Sequence, residues 1–133
     1  MQVFRPLFLT SSALFMACGV TAAEESKPAE ATSEQLEFYT HQVLPILKTH
    51  CLECHGGKKA IKGGLRLTSR ENILKGGESG PAVSLDQPDD GLLLESINYQ
   101  EYEMPPSGKL SAEQIAILTR WVQSKLAGAP DKV

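Results

Sequence analysis

Two thiols lie three residues apart and an imidazole follows the second, in Cys51-Leu52-Glu53-Cys54-His55. On a helix that spacing puts the thiols one turn apart. Both can then add to the two vinyl groups along one porphyrin edge, and the next residue sets its imidazole under the iron. Cys-x-x-Cys-His is the signature of c-type haem attachment, so Cys51 and Cys54 are the predicted covalent anchors and His55 the predicted proximal ligand. Two other chemistries use part of the pattern. A thioredoxin-type thiol pair belongs near a βαβ pattern, which is absent here. A zinc site wants four ligands, and only the two thiols and a histidine are convenient.

An iron held by one histidine has a sixth position, and its occupant separates electron transfer from ligand chemistry. Met104 is the candidate. Of the three methionines, Met1 and Met16 lie at the start of the chain, so the mature protein keeps a single thioether. It stands in Glu103-Met104-Pro105-Pro106, where the next residue, a proline, restricts it to extended backbone and the second proline stiffens the loop. The usual fate of a methionine is to fill core space, which is the alternative. His41 and His50 are rival ligands, but both sit on the segment leading into the attachment motif. His50 is too near in sequence to reach the far haem face easily, so both read as structural or surface residues. Trp121 reads as core, with contact to the porphyrin edge equally open.

The chain begins Met-Gln-Val-Phe-Arg-Pro and continues in an uncharged apolar stretch of about fourteen residues, Leu7 to Val20, ending near the small residues Thr21-Ala22-Ala23. This is a signal-peptide pattern over residues 1–23, with cleavage expected after Ala23, and it is short of the roughly 20 residues a membrane span needs. Phe15-Met16-Ala17-Cys18 loosely resembles a lipoprotein box, and acylation at Cys18 would tether the exported, periplasmic protein to a membrane. Without residues 1–23, twelve basic residues face sixteen acidic ones, a mild net charge of −4. Nothing in that balance points to a nucleic-acid partner, which calls for a basic domain with clustered Lys and Arg. Only Cys51 and Cys54 remain as cysteines, so no disulfide framework can staple the small domain of about 110 residues. A haem would fill its core instead.

The elements that must carry these residues read as helices. Residues 24–32 are charged and lack large apolar side chains, which predicts a disordered spacer. Thr32-Ser33-Glu34-Gln35 offers a capping box, and Leu36, Tyr39, Val43 and Leu47 follow at helical spacing. A helix is expected from Ser33 to His50, kinked at Pro45. Thr68-Ser69-Arg70-Glu71 offers a second box for a short helix from Arg70 to Lys75, and another short helix fits Gly91 to Ile97. Ser111-Ala112-Glu113-Gln114 opens a last helix with Ile115, Leu118, Val122 and Leu126 on one stripe and Gly128 as its stop. The Gly-rich stretches between them read as long loops, which in a compact domain are usually functional. The expected architecture is all-α, with the domain over residues 33–128 and a tail over 129–133. Its first and last helices pack on each other and on the haem.

Charge is uneven along the chain. Lys58, Lys59, Lys62, Arg66, Arg70 and Lys75 follow the haem motif, whereas Glu78, Asp86, Asp89, Asp90, Glu95, Glu101 and Glu103 precede Met104 without a base among them. A solvated surface accounts for this. A dipolar molecule steered to a redox partner protein accounts for it too.

The segments Phe38 to Gly56, Gly63-Gly64-Leu65-Arg66-Leu67, Gly76-Gly77-Glu78-Ser79-Gly80-Pro81, Met104-Pro105-Pro106 and Trp121-Val122 together resemble the planctomycete-type cytochrome c domain, a branch of the class I cytochromes c. The likeness runs over nearly all of the mature chain. It implies a class I cytochrome c-like fold around one covalent haem c with His and Met axial ligands, here His55 and Met104. Such domains are often fused to larger extracytoplasmic regions, and a chain ending at Val133 reads as one standing alone. The expected function is electron transfer, not enzymatic catalysis. Two alternatives stay open: a haem peroxidase or gas-binding protein with a displaceable Met104, and a non-redox module that recruits a partner.

Overall fold

The computed structural model describes residues 30–57 and 61–132. The expected signal peptide, the Cys18 box and most of the expected spacer lie outside these residues. Among the described residues the fold is helical, and the only β-type pairing is an isolated bridge between Gly77 and Gly80.

The first helical run is built in three pieces. Helix α1 spans Ser33–Phe38, a π turn follows over Tyr39–Val43, and α2 spans Leu44–His50. The expected capping box closes its start: Thr32 accepts from the Gln35 N–H, and Gln35 accepts from the Thr32 N–H at 2.9 Å. Pro45 has no N–H to give, and its ring crowds the carbonyl four residues back. The wider turn just ahead of it, where Leu44 N–H reaches back to the Tyr39 carbonyl, accommodates the ring. The extra residue of a π turn also advances the helix face by about a quarter turn. Tyr39, Val43, Ile46 and Leu47 therefore share the buried face, while Leu36, expected on the same stripe, is 53% exposed.

Cys51 leaves the α-helical region at φ −122, ψ −45, and a single turn, α3 (Leu52–His55), carries the rest of the motif. Helix α4 spans Arg70–Lys75, as expected, but its cap is Ser69, whose hydroxyl accepts from Asn72 N–H. Thr68 instead accepts from the Asn72 side chain at 3.2 Å, so the predicted Thr68–Glu71 box is not used. The two remaining donors of that first turn go to the chain's end: Arg70 N–H meets the Pro130 carbonyl at 2.8 Å and Glu71 N–H the Asp131 carbonyl at 3.2 Å. Helix α5 spans Leu92–Ile97 after a Gly91 cap.

Helix α6 spans Ala112–Gln123 and opens with a capping box between Ser111 and Gln114. It ends sooner than its apolar stripe suggests. Lys125 and Leu126 turn left-handed, at φ 59 and 63, yet Leu126 is fully buried, folded back onto the core beyond the helix end. Gly128 then crosses the first helical run. A Cβ there would sit 2.5 Å from the Gln35 carbonyl oxygen, at φ +80, so only glycine lets the two segments approach this closely. The core joins these elements: Tyr39, Val43 and Leu47 with Leu118, Trp121 and Val122. The Tyr39 and Trp121 rings lie 5.7 Å apart at 36°.

Candidate haem-binding site

A cleft opens between the α2–α3 corner and the loops on either side of α5. It holds about 1110 Å³ of free space, counting solvent at its mouth. Cys51, Cys54, His55 and Met104 all line it, although Met104 lies in a loop about fifty residues after the motif. The rest of the wall is mostly apolar, with Leu65, Leu67, Leu92, Leu93 and Ile97 as its largest contributions. Leu67, Leu93 and Ile97 are otherwise buried in the core, so they give the cleft a firm apolar wall of the kind that holds a largely apolar cofactor.

The imidazole of His55 is fixed from behind. Its Nδ1 donates to the main-chain carbonyl of Leu65 at 3.0 Å, while Leu67 N–H donates to the His55 carbonyl at 2.9 Å. A short strap, residues 65–67, thus holds both the ring and the backbone of His55. With Nδ1 engaged as a donor, Nε2 keeps its lone pair for a metal, the arrangement that orients ligating histidines generally. A second hairpin holds the strap. Glu78 N–H donates to the Gly63 carbonyl at 2.8 Å, and Gly77 and Gly80 bond one another at 3.0 and 3.1 Å. A Cβ on Gly77 would collide with the Gly63 carbonyl and meet Leu65 N at 2.9 Å. The glycine pairs that read as loop punctuation make backbone-to-backbone contacts beside the strap that holds His55. Their spacing to His55 is the one sequence signal that could have found them.

Both thiols are free and half-buried. Burial pushes the Cys51 thiol up to about 11, from 9.0, because a thiolate loses more solvation than a thiol among apolar neighbours. Met104 is 37% exposed, so it does not fill the core; it stands at the cleft rim on a loop tied to α5, its N–H donating to the Ser96 carbonyl at 3.2 Å. Its peptide bond to Pro105 is cis. Nearby on the rim, the Tyr102 and Ser79 hydroxyls lie 3.2 Å apart.

The rival histidines take other roles. His41 is exposed. His50 reaches the cleft wall, but its Nε2 lies 3.2 Å from Gln114 Nε2. An amide nitrogen can only donate, so this imidazole nitrogen accepts and ties α2 to the start of α6. Trp121 differs from the haem-contact alternative. It is fully buried between helices, absent from the cleft wall, and its indole N–H has no partner among the described residues. No residue of α6 lines the cleft, so the last helix packs on the first helical run and not on the cofactor space.

The donor set fits a covalent haem: two thiols one turn apart, an imidazole oriented through Nδ1, a thioether on the same cleft, and apolar walls between them. Comparison with known families agrees. Residues 51–108 match the family model for Planctomycete cytochrome C, and the chain carries a planctomycete-type cytochrome c domain over that span. The matched span begins at the first cysteine of the motif and stops before α6, so it is narrower than the likeness read from the sequence. A domain of this type implies covalent haem c. No curated protein and no solved structure gives a significant match.

Proposed function

We propose that the protein is an exported monohaem cytochrome c of class I-like fold that carries electrons, with its iron held between His55 and Met104. The observation that carries this reading is the shared cleft. Its wall contains both attachment thiols, an imidazole whose Nδ1 is already spent on Leu65, and the mature chain's one thioether. The haem, when bound, supplies a one-electron couple. The protein's part is to attach it, orient both ligands and keep water from its faces. Thioether ligation raises the potential relative to two imidazoles.

Redox proteins are the proposed partners, approaching the open rim where Tyr102 and Met104 are exposed. The acidic residues Glu101 and Glu103 flank that rim in sequence and favour a partner with a basic contact surface. Export is supported by the apolar stretch Leu7 to Val20. Among the described residues, no helix is long and apolar enough to cross a membrane; acylation at Cys18 is the proposed route to membrane attachment.

The exposure of Met104 favours a second reading, in which the thioether leaves and peroxide or a diatomic gas takes its place. One variant separates the two. In Met104→Ala holoprotein the near-infrared sulfur-to-iron band disappears and the ferrous form gains carbon monoxide binding. A band that survives the substitution refutes Met104 as the ligand.

A further inference from the structure

We infer that Tyr99 is the positioning residue for Met104: its hydroxyl clamps the backbone next to the thioether and sets how easily that ligand is displaced. The inference rests on the His55/Met104 reading above.

Tyr99 lies just past the end of α5 and adopts φ 62, a left-handed conformation that bulky residues rarely take. Such an outlier persists only when its surroundings hold it, and it commonly marks a functional position. Here the turn aims the phenol at the ligand loop. Tyr99 Oη donates to the Pro105 carbonyl at 2.7 Å, one residue beyond Met104. From the other side Gly108 N–H donates to the same oxygen at 3.2 Å. The Ser96 carbonyl, at the end of α5, receives both Tyr99 N–H at 3.1 Å and Met104 N–H at 3.2 Å. The loop is therefore closed on α5 at each flank of the methionine.

Lys109 completes the clamp. Its Nζ lies 5.6 Å from the Tyr99 ring centroid and donates to the Asn98 carbonyl at 2.9 Å, which holds the ring in place from the far end of the loop. Packing does not hold the Met104 side chain, given its exposure at the rim, so the backbone must. Tyr102, the other tyrosine of the loop, bonds only a serine hydroxyl across the rim and leaves the Met104 backbone untouched.

The test uses holoprotein and imidazole as the displacing ligand, followed through loss of the near-infrared sulfur-to-iron band. Tyr99→Phe keeps the ring and removes the hydroxyl. The expected result is displacement at roughly fivefold lower imidazole concentration, the effect of one lost hydrogen bond, with about a twofold change in Lys109→Met. Trp121→Phe, a core change remote from the loop, leaves the midpoint where it is, which separates positioning from general loosening. A Tyr99→Phe midpoint equal to that of the wild type overturns the inference. If Tyr99→Phe yields no holoprotein, an unchanged midpoint in Lys109→Met overturns it. Absence of the band in the wild type refutes the His55/Met104 reading and this inference with it, whereas a normal wild-type band with an unmoved variant midpoint refutes only the inference.

Discussion

His55 Nδ1 donates to the main-chain carbonyl of Leu65 at 3.0 Å, across ten residues of sequence. The bond does two things at once. It leaves Nε2 as the nitrogen free for iron, and it makes that nitrogen a better electron donor, since a ring that shares its proton with a carbonyl is more electron-rich.

Gly77 packs against the same strap, where an added Cβ would meet the Gly63 carbonyl and Leu65 N, so Gly77→Ala should push the Leu65 strap away and lengthen the His55 bond. A weaker donor stabilises the oxidised iron less. The midpoint potential of Gly77→Ala holoprotein is therefore expected to rise by roughly 40 mV, the one-electron equivalent of about 1 kcal/mol. Spectroelectrochemistry measures it, and a potential that stays constant or falls contradicts the link between Gly77 and His55.

Trp121 stands in the helix interface and not on the cleft. Trp121→Phe should leave the visible spectrum of the holoprotein unchanged while lowering stability by about 1–3 kcal/mol, the cost of lost volume partly offset by removal of an unpartnered buried N–H. Denaturant unfolding alongside the visible spectrum tests both halves. A shifted haem spectrum would show that the indole does reach the cofactor.

Tyr39 gives the core a defined alkaline limit. Burial raises its phenol above the ordinary 10.0, so the folded chain keeps the proton where the unfolded chain has lost it. The stability this confers is complete below pH 10 and is lost as pH rises through the folded-state value, at up to about 1.4 kcal/mol per pH unit. Urea unfolding of holoprotein at pH 9 and pH 11 should show a larger loss in the wild type than in Tyr39→Phe. Equal losses would mean that Tyr39 ionises as freely folded as unfolded.

Much of the site was legible in the chain because its chemistry is local. The Cys51 to His55 spacing is one helical turn, and Met104 is conspicuous as the only methionine after Met16. The capping boxes at Thr32 and Ser111 were legible for the same reason, since each satisfies its donors within four residues. What escaped depends on distant partners. Ser69 caps α4 in preference to Thr68 because Pro130 and Asp131, about sixty residues on, take the first two donors. Leu36 looks buried by period, but the π turn ahead of Pro45 rotates it outward. The Gly63–Gly64 and Gly76–Gly77 pairs read as flexible loops, and only the fold reveals that they meet and brace His55. Trp121 could have faced helix or haem on sequence grounds, and the packing of Tyr39 against it decides for the helix.

The central claim is a six-coordinate haem c with a carrier's closed iron, and the most direct measurement is the visible spectrum of the reduced holoprotein with and without carbon monoxide. The account predicts a low-spin haem c spectrum that carbon monoxide leaves unchanged. Ready carbon monoxide binding, or the absence of covalent haem, would contradict it.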